Sequence, residues 1–183
     1  MRAFVYALLA HGLIGGLDVV VNHELIARLP AQPRAARELS LHSARELIFA
    51  LLFAALAWFE WYGLGALAIA ALLLGELLVS CVDTVLEPQV RLLPPTERVA
   101  HVLLFVNLGV IGALLGSVLL EWWKLPTGLA PTYHGWGSWV LSALALGALG
   151  WSVRDALSAA RTSDNKGTGQ GERLALVSHD QNA

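Results

Sequence analysis

The sequence predicts an all-α fold: a polytopic transmembrane bundle of five helices. Three observations lead there. The 183 residues are 56% hydrophobic and 14% charged, against roughly 25% charged in an ordinary soluble domain. The apolar residues gather into four stretches, 3–21, 47–82, 99–120 and 138–153, the second long enough for two helices. The arginines and lysines lie mostly between those stretches. A net charge of −2 with no basic patch excludes a nucleic-acid-binding domain. Cys81, the single cysteine, sits in an apolar run, which leaves no disulfide framework and no cysteine-based zinc site.

The first span is read at 3–21. Arg2 followed by an apolar run is signal-peptide-like, but His11 and Asp18 interrupt the run and no A-x-A site follows, so a retained helix is expected. Residues 22–39 are polar and punctuated by Pro30 and Pro33, a surface connection whose Arg28, Arg34 and Arg37 set topology and meet lipid phosphates. Ser40 is placed as the cap of the second helix, which spans 44–61. As one helix, 47–82 would extend ~54 Å against a ~30 Å hydrocarbon core. A hairpin break is therefore expected at Glu60-Trp61-Tyr62-Gly63, with the third span at 64–83. Pro88, Pro94 and Pro95 mark the next turn, and the fourth span, 97–120, carries Glu97 in its first turn, where the helix dipole favours an acid. It ends in the belt Glu121-Trp122-Trp123-Lys124. Residues 125–137 read as a headgroup loop, 138–160 as the fifth span, and 162–183 as a disordered cytoplasmic tail beyond the 1–161 bundle. Gly112-x-x-x-Gly116 and Ala143-x-x-x-Gly147 offer close helix approach.

Five spans put ten of the twelve basic residues on one side and leave Arg2 and Lys124 on the other. The positive-inside rule then expects the amino terminus outside and the carboxyl terminus in the cytoplasm.

Polar residues inside apolar runs are costly, and they mark a bundle interior or a site. His11, Gly15, Asp18 and Asn22 share one face of the first helix; Glu76, Ser80, Asp83 and Glu87 repeat that spacing on the third. His42 and Glu46 are i, i+4 on the second, as are Glu97 and His101 on the fourth, with Asn107 deeper. The predicted topology gathers these acids and imidazoles, with His23 and Glu24, on the cytoplasmic side. Carboxylate and imidazole donors on facing helices suit a metal, with iron, manganese or zinc favoured over copper. The expected ligands are drawn from His23, His42, Glu46, Asp83, Glu87 and His101. His11, Asp18, Glu24, Glu76, Glu97 and Asn107 are placed around them as supporting or buried polar groups. The Glu-x-x-His pair of soluble di-iron bundles is missing, as are the histidine boxes of membrane desaturases. A haem between His11 and His101 would need equal depths and would leave the carboxylates unexplained.

The run Gly16-Leu17-Asp18-Val19-Val20-Val21-Asn22-His23-Glu24, then Arg28-Leu29-Pro30, then Glu38-x-x-x-His42-x-x-Arg45-Glu46, resembles a family of small bacterial polytopic membrane proteins with no assigned activity. The resemblance extends through Glu76, Asp83 and His101 and implies a bacterial inner-membrane location. Two function classes follow from the residues: a metalloenzyme acting on a lipid-soluble substrate, or a transport, proton-conducting or assembly component with a membrane partner protein.

Overall fold

The computed structural model describes residues 1–32 and 35–180, the side chains of 89–90 and 162–180 excepted. Among the described residues, five helices are long and apolar enough to cross a membrane. Helix α1, Ala3–Asp18, runs directly into a π-helical segment, Val19–Ala27. Arg28, at φ 50°, breaks it, and the 3-10 turn Leu29–Ala31 follows with Pro30 inside it. Helix α2, Ala36–Trp58, leads into strand β1, Phe59–Tyr62; α3 is Leu64–Val90 and α4 is Pro95–Trp123. Strand β2, Gly128–Pro131, precedes α5, Trp136–Asp180, which is apolar enough to span up to Arg161.

Several sequence expectations are corrected here. Residues 22–27 are not a surface connection but the last turns of the first helix, with Asn22 and His23 buried. The second helix begins at Ala36 rather than 44, because Ala36-Arg37-Glu38-Leu39 are all good helix formers. Ser40 is therefore no cap: its hydroxyl donates back to the Ala36 carbonyl at 2.9 Å. The fifth helix starts at Trp136, inside the expected loop, and its backbone stays helical past Arg161. Residues 181–183, at the end of the expected tail, lie outside the described residues.

The expected break at 60–63 is a strand, and it has a partner. β1 pairs antiparallel with β2, Trp61 opposite Leu129. Backbone leaving a helix near the hydrocarbon needs hydrogen-bond partners, and a two-stranded ribbon supplies them without water. Gly63 makes the corner, with φ 55° and ψ −122°, donating its N–H to the Trp122 carbonyl at 2.9 Å.

Near the ribbon the core is apolar: Phe4, Leu8, Leu52, Leu56, Ile69, Ile111, Leu115 and Leu141 are all buried. Leu13, Leu78, Val106 and Leu146 face outward among many exposed apolar side chains, a surface suited to lipid and not to water. The chain is thus an all-α, multi-pass membrane bundle.

Helix α5 packs chiefly on α2 and α1 on α4, so α1 and α5 touch little. Ser43 Oγ donates to the Ser152 carbonyl across the α2–α5 seam, and Ser152 Oγ returns a bond to the Ser43 carbonyl, each at 2.9 Å. The small-residue pairs do not serve as expected. A Cβ on Gly112, Gly116 or Gly147 would meet nothing within 4 Å, whereas one on Gly12 would strike Leu144 at 2.6 Å. Close approach is therefore made at Gly12.

Candidate metal centre in the polar half of the bundle

Away from the ribbon, α1 and α3 end where α2 and α4 begin, and that end of the interior is polar. His11, Asp18 and Glu76 are buried there, as their place inside apolar runs requires. His11 stacks on Phe49 with centroids 4.1 Å apart and meets Asn107 Nδ2 at 3.2 Å.

The π-helical segment shapes the first wall. Its wider turn points Asn22 and His23 to the same interior that receives Asp18, so no loop has to fold back to deliver His23. Asn22 Nδ2 donates to Asp18 Oδ1 at 2.6 Å, and Asn22 Oδ1 accepts from Thr96 at the start of α4.

Two sets of donor atoms converge. His23, Glu87, Glu97 and His101 each bring one donor atom, all within 4.8 Å of one another; Glu38, His42 and Glu87 form a second such set. Ligands across a single ion stand ~4–5 Å apart when each bond is ~2.0–2.5 Å, so both sets have cation-sized spacing. Glu87 belongs to both. The Glu-x-x-x-His spacing recurs at the starts of two helices, Glu38 to His42 on α2 and Glu97 to His101 on α4, and each pair sits on one helix face.

The imidazoles lean on carboxylates. His101 lies between Asp18, 3.4 Å from Nε2, and Glu87, 3.3 Å from Nδ1. His23 Nε2 is 3.2 Å from Glu97 Oε1, and His42 Nε2 is 3.2 Å from Asp83 Oδ2. The latter two approaches lack hydrogen-bond geometry: both ring nitrogens of His23 and of His42 are buried without a hydrogen bond, and so is Glu38 Oε2. The two rings stack at 4.4 Å, tilted by only 8°.

Two arginines complete the network. Arg45 donates from Nε to Glu76 at 3.1 Å and from Nη1 to Asp83 at 3.0 Å. Arg91 donates to Glu38 at 2.8 and 3.0 Å, to Glu87 at 3.0 Å, and to both oxygens of Glu97. Burial works against the Arg91 charge, but the hydrogen bonds to Glu97 and Glu38 outweigh it and hold its pKa above the ordinary arginine value. Asp18, Glu38, Glu76, Asp83, Glu87 and Glu97 are six carboxylates against these two guanidiniums. The imidazoles of His23, His42 and His101 stand among them, and buried carboxylates in excess are costly unless cations or protons balance them.

Of the expected ligands, His23, His42, Glu87 and His101 lie in the donor sets. Asp83 is buried beside them, held by Arg45 and near His42. Glu46 stands in neither set, and both its oxygens are buried without a partner. Glu97, expected as a supporting group, is in a donor set; Glu24 pairs with Arg154 near the surface. The sequence reading missed Glu38, Arg45 and Arg91 as site residues. The repeated Glu-x-x-x-His spacing was the available signal for Glu38.

Compared with known protein families, characterised proteins and solved structures, the chain finds no match.

Proposed function

We propose that this protein is a membrane-embedded metalloprotein holding two divalent cations, of iron, manganese or zinc, in the Glu/His cluster, and that it acts on a lipid-soluble substrate. The observation carrying this reading is the coincidence of orphaned polar atoms with cation-sized spacing: His23 and His42, whose ring nitrogens are unbonded, and Glu38, whose Oε2 is unbonded, are all residues of the donor sets. Glu87, common to both sets, is the natural bridge, an arrangement suited to polarising or activating an oxygen-bearing group. The distribution of basic residues supports an external amino terminus and a centre on the cytoplasmic side of a bacterial inner membrane.

A second reading draws on His101, which links Asp18 to Glu87: the cluster would be a proton relay of a non-enzymatic transporter or assembly component. Metal analysis of the detergent-purified protein separates the two. Close to two cations per chain are expected, falling below one in Glu87→Ala and unchanged in Glu121→Ala, which lies at the far end of α4. Protein that binds no cation even after supplementation removes the metal reading and leaves the relay.

A further inference from the structure

A crevice of about 260 Å³ runs between α1 and α5, with α2 as its floor. It lies beyond the close approach of α1 and α5 where Gly12 meets Leu144. It extends along α1 from His11 to Val20, ~14 Å at the helical rise. Its mouth carries Gly16, Val20 and Gly147, all exposed on the outer, apolar surface of the bundle, so it opens sideways toward lipid tails. Gly16 and Gly147 leave open space where a Cβ would stand. The ion pair of Arg154 with Glu24 bridges α5 and the π-helical segment at the polar end.

The walls are carbon, but the polar end holds unmatched groups. Both Glu46 oxygens are buried without a hydrogen-bond partner, and Trp151 Nε1 is a buried donor without an acceptor. Both residues line this crevice, next to His42 and His23 of the donor sets. A ligand head that serves both, whether or not Glu46 carries a proton, must be able to donate one hydrogen bond and accept another. An ammonium has no acceptor for Trp151, and an ionised carboxylate has no proton to give. A hydroxyl does both. The volume is near the lower end of small-molecule pockets, roughly 300 Å³, which admits one chain and not the body of a two-chain lipid.

We propose that the crevice between α1 and α5 binds a single-chain amphiphile with a hydroxyl head, a long-chain primary alcohol, entering from the bilayer with its head at Glu46 and Trp151. This names the substrate class of the proposed metal centre and rests on that reading for any chemistry, while binding itself needs only the crevice.

The test uses the full chain in lipid nanodiscs and hexadecan-1-ol carrying a photoreactive diazirine near the middle of its chain. Labelling is expected on peptides spanning 12–20 and 143–151. It is expected to be abolished by excess hexadecan-1-ol and reduced far less by equal palmitate or hexadecylamine. Gly147→Leu, which fills the mouth, is expected to cut labelling at least tenfold, and Glu46→Leu at least fivefold. Labelling spread over the outer faces of α3 and α4, labelling resistant to hexadecan-1-ol, or stronger competition by palmitate overturns the proposal, and the mapping on the unsubstituted chain decides this even if a variant fails to fold. Metal content measured on the same nanodiscs keeps the readings apart: cations without crevice labelling sink the alcohol site alone, and crevice labelling without cations sinks the metal centre alone.

Discussion

Replacing Arg91 by glutamine takes away five charge-assisted hydrogen bonds to Glu38, Glu87 and Glu97. The Arg91 side chain is 11% exposed and the three carboxylates at most 1%, so water cannot replace it. Removing one partner of a buried ion pair costs about 3–5 kcal/mol. At ~2–4 °C per kcal/mol for a chain of this length, metal-stripped Arg91→Gln is expected to melt roughly 6–20 °C below metal-stripped wild type. Saturating divalent cation should reverse most of that loss, since a site filled at a thousand times its dissociation constant adds ~4 kcal/mol. The variant should also bind the cation more tightly, by about tenfold for each 1.4 kcal/mol of competition removed, because Arg91 holds oxygens the cation needs. Thermal unfolding in detergent, with and without chelator, measures both effects. An equal melting loss in the two conditions would refute the reasoning: Arg91 would then be the resident cation of an ion-pair network, and the carboxylates would have no second role.

Gly63→Ala forces a side chain onto a backbone at φ 55° and brings its Cβ within 2.8 Å of the Thr127 backbone, so a loss of about 1–3 kcal/mol is expected in the same melting assay. His134, at the ribbon end, has its imidazole pKa pushed down by burial, so the unfolded chain takes up its proton first. Stability should accordingly be full above about pH 6.5 and fall as the pH drops below it, by at most ~1.4 kcal/mol per unit, and His134→Gln should remove that component of the acid sensitivity. Reporter fusions after Gln32, Gly63, Arg91, Pro126 and Arg161 should read inside, outside, inside, outside, inside; an external reporter after Arg161 would reverse the proposed orientation of the centre.

Hydrophobic length against bilayer thickness is a local property of the chain, and it is why the sequence alone determined five spans and the break at 60–63. The same local cost predicted that His11, Asp18 and Glu76 would turn inward, since lipid offers them no partner. What it left open is which polar faces meet. The donor sets draw on residues from His23 to His101, carried on four elements, and their meeting depends on helix rotation and depth that no periodicity encodes. The π-helical segment decided that His23 joins Asp18, and an early start to α2 brought Glu38 inward as a donor. Arg91 reads in the sequence as a topology charge like its neighbours; only the convergence of three buried acids around it gives it another task. The crevice, too, belongs to tertiary structure alone, for it is the space left when two helices that touch only locally each pack chiefly against a different neighbour.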